Sequence, residues 1–344
     1  MKDTYKKISM PKRYLMNTVL VALLFGLVAF LSTCVLSNYQ NYILLLVGIN
    51  IILAISLNVA TGYLGQLPLG HAGFMSAGAY TCALFTKYSP LPEGISFLIG
   101  LILGGLVAAL FGILIGVPAL RLAGDYIAIV TLGFGEIIRI TLNNIDSVIG
   151  MDLFYGANGL KNIPKYSDYT SVFLCVAFAC FAIHTMMKSK HGRAVLAVRD
   201  NEIAAESCGV QTTYYKVMAF AFSAFFAGVA GGLYACCIGI LNPSNFDFMK
   251  SIEILVMVVL GGMGSMIGSI LSATVLTILP EALRSFSDYR MVVYSLVLIL
   301  MMIYKPGGLF GTYDFSMSKL VEKFINRKAI AAAKAADEKE GEEA

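Results

Sequence analysis

The sequence contains no tryptophan, only three histidines and few charged residues. Asp, Glu, Lys and Arg make up 13% of its 344 residues, whereas a soluble domain carries roughly a quarter, so the composition excludes an ordinary soluble protein. The seven cysteines lack the spacing of metal ligands. We interpret them as packing residues, because most lie within apolar runs: Cys34, Cys82, Cys175, Cys180, Cys236 and Cys237.

The chain contains long apolar runs, and 58% of its residues are hydrophobic. A bilayer core of about 30 Å requires roughly 20 apolar residues as helix. The run from Leu15 to Leu36 is too long for a signal peptide and lacks a cleavage site, so we expect a retained span. Further spans are predicted at Tyr42 to Tyr63, Gly70 to Phe85, Ser96 to Leu120, Tyr126 to Leu142, Tyr169 to Met187, Val217 to Ile240, Ile252 to Leu279 with an interruption, and Met291 to Tyr304.

The distribution of Lys and Arg predicts the orientation of these spans. Most of the 25 basic residues fall on one side if both termini are cytoplasmic. The sequence thus predicts an all-α polytopic membrane protein with about eight to ten transmembrane helices, some of them broken or re-entrant. We expect a cytoplasmic segment over 1–14, a transmembrane domain over 15–305 with a cytoplasmic loop at 188–216, and a cytoplasmic tail over 306–344. Tyrosines near the span ends supply the interfacial belt: Tyr42, Tyr63, Tyr88, Tyr169 and Tyr304.

The predicted cytoplasmic loop contains a short polar helix. Asp200 suits its N-cap, Glu202 its first turn and Gly209 the position after its end. Its small face, flanked by Arg193 and Arg199, suits close docking into a groove of another protein. An amphipathic helix lying on its own membrane is the alternative. The candidate docking residues are Arg193, Arg199, Asp200, Glu202, Ile203, Ala204, Ala205 and Gly209.

Two glycine-rich stretches predict breaks in the membrane helices: "GQLPLGHAGF" from Gly65 and "GGMGSMIG" from Gly261. Transporters place substrate sites at such breaks, so the two breaks are predicted to face each other along a translocation path. Tight helix packing by small residues is the alternative. The candidate path residues are Gly70, His71, Gly73, Phe74, Tyr80, Gly262 and Gly264, with Met75 as a further apolar wall residue.

Ionisable residues within spans also have competing interpretations. Glu136 and Arg139 lie three residues apart, and Arg121 and Asp125 lie four apart, so each pair can meet on one helix face. We expect both to be structural ion pairs. His71 is interpreted as a hydrogen-bonding residue. The alternatives are ion-coupled transport through His71, Glu136 or Glu253, and an intramembrane enzyme that uses His71.

Five segments, in chain order across 45–311, resemble the branched-chain amino-acid ABC transporter permeases of the LivM type. They are "GQLPLGHAGFMSAGAY" (65–80), "LRLAGDYIAIVTLGFGEIIR" (120–139), "NGLKNIP" (158–164), "GRAVLAVRDNEIAAESCGV" (192–210) and "LVMVVLGGMGSMIGSILSA" (255–273). The loop also resembles the coupling loop of ABC importers, whose pattern is Glu-Ala-Ala, three residues, then Gly. Here Ile203 stands at the glutamate position, and Glu202 lies one residue earlier.

The resemblance implies a non-enzymatic permease subunit that imports leucine, isoleucine or valine across the bacterial cytoplasmic (inner) membrane. Its implied partners are a second homologous permease, two cytosolic ATPase subunits and an extracytoplasmic amino-acid-binding protein. No Gly-x-x-x-x-Gly-Lys-Ser/Thr phosphate loop occurs in the sequence, so ATP is expected to act in the partner subunits, with no cofactor bound by this chain. Related permeases carry urea or other small solutes, which leaves the substrate class open.

Overall fold

The computed structural model describes residues 37–284 except 121, 123, 125 and 151–153, together with Gly26 and six isolated positions between 292 and 304. The predicted span Leu15 to Leu36, most of the span Met291 to Tyr304, the Arg121–Asp125 pair, Cys34 and the tail lie outside the described residues. The chain divides into two units, Met1–Val35 with Asp314–Ala344, and Leu36–Tyr313. Apart from Gly26, everything described below belongs to the second unit.

Ten α-helices follow one another in the described part of this unit. Their bounds are α1 Asn38–Asn58, α2 His71–Tyr88, α3 Glu93–Ala119, α4 Tyr126–Ile149, α5 Tyr169–Lys188, α6 Lys190–Asp200, α7 Glu202–Ser207, α8 Thr212–Ile238, α9 Phe248–Gly261 and α10 Met266–Ala282. A π-helical turn, Val59–Tyr63, extends α1. Two short 3₁₀ turns, Gly156–Asn158 and Pro243–Phe246, lie in the loops, where Leu160 and Leu241 form an isolated antiparallel bridge.

Five segments of the described chain are long and apolar enough to cross a membrane: Asn38–Tyr63, Glu93–Ala119, Tyr126–Ser147, Tyr169–Lys188 and Thr212–Ile238. Met266–Ala282 is a shorter apolar helix. These segments confirm the predicted all-α polytopic membrane fold. The prediction of eight to ten crossings and the cytoplasmic location of both termini remain predictions.

Most helix positions agree with the sequence-based expectation, and the differences are at helix ends. The predicted interruption near "GGMGSMIG" is confirmed, because α9 ends at Gly261 and α10 begins at Met266. The fourth helix continues to Ile149 instead of ending at Leu142. The eighth begins at Thr212 instead of Val217, because polar residues at these ends extend the helices without adding to the apolar run.

Helix α2 lies at the centre of the packing and contacts α3, α4 and α8 through glycines. A Cβ at Gly73 would lie 2.8 Å from the Cα of Gly135 on α4. Gly78 meets the backbone of Gly228 on α8. Such contacts let helix backbones approach closely, as is usual where membrane helices pack.

Large apolar side chains are exposed on the outer faces of α3 and α4, including Leu98, Ile102, Leu106, Ile129 and Ile137. The predicted Glu136–Arg139 pair is confirmed, with Arg139 Nε 2.7 Å from Glu136 Oε2. The described cysteines are free thiols, and Cys82 and Cys236 are buried where α2 meets α8. These observations agree with a lipid-embedded helical domain.

Candidate functional site

Two helices, not one, form the polar loop between the membrane helices α5 and α8. Ser189 caps α6, accepting from the backbone N–H groups of His191 (3.2 Å) and Gly192 (3.3 Å). Asn201 caps α7, and its Oδ1 accepts from Ala204 N–H at 3.0 Å. The prediction of Asp200 as the N-cap is therefore wrong. Asp200 is the last residue of α6, where its carboxylate pairs with the Arg199 guanidinium.

Helix α7 ends as its sequence predicts, with Gly209 following in the left-handed region at φ +80°. The N–H of Val210 donates to Ala205 O (3.0 Å), and the N–H of Gly209 donates to Glu206 O (2.9 Å). These two bonds form a Schellman motif, which satisfies carbonyls at the helix end. The helix is thus a short, rigid element with a fixed exit direction.

The exposed surface of α7 carries Ile203, the small residues Ala204 and Ser207, and the acidic Glu206. Ile203 is 78% exposed and Ala204 is also exposed, whereas Ala205 is buried against the domain. Glu202 in the first turn accepts from Lys216 Nζ on α8 at 2.6 Å, and the Lys216 side chain is only 8% exposed. The ion pair fixes α7 to a membrane helix while its Ile203 side remains open.

The two predicted docking arginines differ in direction. Arg193 is exposed on α6. Arg199 is also exposed, with 37% of its side chain accessible, but its Nη1 donates to the carbonyl of Gly62 at 3.0 Å. Arg199 therefore lies at the surface of the loop and is hydrogen-bonded to the end of α1.

The first predicted break separates the π-helical turn from α2, and protein groups satisfy its backbone. Leu69 N–H donates to Thr131 Oγ1 of α4, and Ala72 N–H donates to Ser251 Oγ of α9, both at 3.0 Å. Gly70 is buried against the backbone of Thr131, where a side chain would collide. Irregular backbone at membrane depth requires such internal partners.

His71, the first residue of α2, is almost fully buried, and its Nε2 lies 2.9 Å from Ser56 Oγ. The Ser56 hydroxyl donates to Leu53 O at 2.8 Å, which leaves its oxygen to accept from the imidazole N–H. Among the described residues, the hydrogen-bond partner of His71 is thus a hydroxyl on α1. This arrangement agrees with a structural hydrogen-bonding role.

The second break, residues 262–265, packs directly on the end of α1. Gly262 and Gly264 have φ values of +101° and +85°, a region that glycine adopts without steric cost. Asn58 of α1 accepts from Gly264 N–H at 2.8 Å and donates to Ser265 O at 3.1 Å. The two breaks therefore meet through the π-helical turn, although Gly70 itself faces α4.

The aromatic path candidates lie in the protein core. Phe74 is buried edge-to-face against Phe220 at 5.5 Å between ring centroids. Tyr80 packs near Phe246 and also lines a cavity of about 610 Å³ between α2, α3 and α4. The other walls of this cavity are mostly apolar, with Leu84, Phe134, Ile138 and Leu142 among them. Whether these residues line a substrate path stays a prediction.

The comparison with protein families decides what kind of membrane protein this is. The family described as branched-chain amino acid transport system permease component matches residues 39–304. The chain belongs to this permease family. The match includes α1 to α10, both helix breaks and the α6–α7 loop.

The permease is similar to curated proteins that are named as transport permeases. The high-affinity branched-chain amino acid transport system permease protein LivM of Salmonella typhimurium is 40% identical over 295 residues, which cover 76% of this chain and 67% of the relative. LivH of Escherichia coli is 33% identical over 126 residues, or 36% of this chain and 40% of LivH. The fructose import permease protein FrcC of Rhizobium meliloti is 25% identical over 274 residues, which cover 77% of this chain and 71% of FrcC. No solved structure matches the permease.

Sequence reasoning missed the polar residues that contact the permease's breaks, which are Ser56, Asn58, Thr131 and Ser251, and it also missed Lys216, which pairs with Glu202 of α7. Each is buried and contacts a group distant in sequence. The available signal was a polar side chain within or beside an apolar run, which is costly in lipid unless it is satisfied.

Proposed function

We propose that this permease is one of two homologous transmembrane subunits of an ABC importer for leucine, isoleucine and valine in the bacterial cytoplasmic membrane. Cytosolic ATPase subunits supply the energy, and an extracytoplasmic binding protein delivers the amino acid. The chain itself binds no nucleotide and catalyses no covalent chemistry. The observation that carries the proposal is the exposed, small-faced helix α7, anchored rigidly to the membrane domain.

The shape of α7 supports docking to an ATPase. The small side chain of exposed Ala204 allows a partner's backbone to approach closely, and Ile203 supplies a single large apolar side chain that fits a pocket. The Glu202–Lys216 ion pair and the Schellman motif hold the helix in one position. A docking element must be rigid to transmit displacement rather than absorb it.

The breaks and the cavity support passage of an aliphatic amino acid. Both breaks are lined by protein and meet at one end of α1. The cavity between α2, α3 and α4 has mostly apolar walls, which suits a branched aliphatic side chain.

The contacts of the ionisable residues favour this proposal over ion-coupled transport. Glu136 pairs with Arg139 at 2.7 Å, and Glu253 pairs with Lys250 at 2.9 Å, each within a single helix turn. His71 is hydrogen-bonded to Ser56. Each candidate for ion coupling therefore already has a local structural partner.

The test is co-purification of an ATPase with the permease from its native membrane. We expect an ATPase to accompany the wild-type permease in mild detergent. Ala204→Glu should weaken this association about tenfold or more, because a carboxylate buried unpaired in a close interface is costly.

Asn158→Glu is the matched control, since it adds the same charge at an exposed loop residue outside α6 and α7. We expect this variant to retain the ATPase at the wild-type ratio. Absence of any ATPase from the wild-type preparation, or equal retention by both variants, would contradict the docking role of α7.

A further inference from the structure

Arg199, near the end of α6, contacts its neighbour Asp200 and two positions beside the first helix break. Its Nε and Nη2 donate to Asp200 Oδ1 at 3.0 and 2.8 Å, and its Nη1 donates to Gly62 O at 3.0 Å. The stem packs on Gly65, where a Cβ would lie 2.7 Å from Arg199 Cγ. A planar guanidinium has five N–H donors, so it can bind the Asp200 carboxylate and the Gly62 carbonyl at the same time.

The Gly62 carbonyl is accessible because the helix changes form there. Leu64 N–H donates to Val59 O at 3.1 Å, and Gln66 N–H donates to Ala60 O at 3.0 Å. These hydrogen bonds span more residues than those of an α-helix, so Gly62 O does not receive the N–H group of the next turn that it would accept in a regular α-helix. Arg199 thus binds a carbonyl that the first helix break has released.

The second break lies against the same turn. A Cβ on Gly62 would lie 2.7 Å from Gly264 Cα, and one on Gly264 would lie 3.9 Å from Arg199 Nη1. Asn58, four residues before Gly62, binds both Gly264 and Ser265. Arg199, the π-helical turn and residues 262–265 therefore form one continuous set of contacts.

We infer that Arg199 is a positioning residue that transmits displacement of the α6–α7 loop to both helix breaks. The inference rests on the proposed function, because it assumes that an ATPase moves this loop. Arg199 thereby differs from the residues on the exposed face of α7: it acts inward on the transport pathway rather than outward on the partner.

Arg199→Ala tests this role in the permease–ATPase complex reconstituted with its binding protein. We expect the ATPase to stay bound and to hydrolyse ATP. Leucine uptake per ATP should fall about tenfold, because the variant loses the charge-assisted hydrogen bond between Arg199 and Gly62. Arg199→Lys retains a cation within reach of Gly62 and should keep about half of the coupling, since lysine lacks the fork that also holds Asp200.

A second readout follows the break itself. Met263 lies between the two break glycines and is 49% exposed, so Met263→Cys reports on their position. Maleimide labelling of residue 263, followed by mass spectrometry of its peptide, should differ between ATP and ADP in otherwise wild-type complex. Arg199→Ala should remove this nucleotide dependence, which a loss of general stability would not do selectively.

Lys190→Ala is the control, because it removes an exposed cation from the first turn of the same helix. It should retain both uptake and nucleotide-dependent labelling. If Arg199→Ala does not fold, Arg199→Gln replaces it, since glutamine keeps the part of the stem that packs on Gly65 but lacks the guanidinium that binds Gly62.

Three results would overturn the inference. Normal uptake and labelling in Arg199→Ala, or in Arg199→Gln where it replaces that variant, would show that coupling bypasses this contact. Loss of the ATPase from Arg199→Ala would make Arg199 a docking residue and leave the proposed function intact. A wild-type permease that brings no ATPase would overturn both proposals, so the two failures are distinguishable.

Discussion

Asn58 joins two helices that are distant in sequence but meet at their irregular ends. Its carboxamide accepts from Gly264 N–H and donates to Ser265 O, so one side chain satisfies two backbone groups of the second break. Unpaired, each such group would cost several kcal/mol within a bilayer. Asn58 therefore stabilises an interruption that the sequence of residues 262–265 alone makes unfavourable.

Adding one methyl group at Gly78 is predicted to lower the thermal stability of the permease. Gly78→Ala places a Cβ against the backbone of Gly228 on α8, and overpacking of this kind costs about 1–3 kcal/mol. We expect a lower thermal midpoint for the purified permease in detergent, measured by the onset of aggregation or by thiol exposure of buried Cys82 and Cys236.

Gly133→Ala is the matched substitution, because Gly133 lies within α4 and a Cβ there meets nothing within 4 Å. The higher helix propensity of alanine should leave stability unchanged or raise it by up to about 1 kcal/mol. Equal thermal midpoints for the two variants would contradict the close approach of α2 and α8.

At the scale of the element, helix α7 depends on its attachment to α8. Lys216 is buried and has Glu202 as its counter-ion, whereas Glu202 is half-exposed, so the pair contributes less than a fully buried one. Glu202→Gln should reduce the local stability of α7 by about 1 kcal/mol, seen as roughly fivefold faster hydrogen exchange of its amides.

The double variant Glu202→Gln with Lys216→Met tests whether the effect of Glu202→Gln comes from its ion pair with Lys216. Removing both charges leaves no unpaired buried cation, so exchange in α7 should return toward the wild-type rate. Unchanged exchange in the single variant would mean that the ion pair does not hold the helix.

The sequence predicted helices better than their caps and partners. Apolar runs located α1, α3 and α5, and glycines located both breaks, because these signals are local. Asp200 and Asn201 are both good caps by composition, and only the extension of α6 to Asp200 makes Asn201 the start of α7. A choice between adjacent caps depends on where the previous helix ends.

For the whole molecule, the source of energy separates an ABC importer from an ion-coupled transporter. Uptake of labelled leucine by the reconstituted complex should require ATP inside and continue unchanged when an uncoupler dissipates the proton gradient. Excess isoleucine or valine should compete with leucine, whereas urea and fructose should not. Uptake that collapses with the uncoupler while ATP is maintained would favour the ion-coupled alternative.

Contacts between distant segments are what the sequence could not supply. Arg199 and Gly62 are 137 positions apart, and Asn58 and Gly264 are 206 apart. Nothing in either local pattern indicates the other. Arg199 was predicted to flank a docking helix, and its inward direction is known only once the fold places α6 beside the end of α1.

Helix α2 has a consequence for how the protein is made. Its side chains are largely buried in protein, and it is not among the five apolar spans of the described chain. Ser251, which accepts from Ala72 N–H in its first turn, and Thr131, which accepts from Leu69 N–H just before it, are translated later. During synthesis, α2 therefore precedes the helices α4, α8 and α9 that contact it in the folded protein, and its packing is completed only after those helices are made.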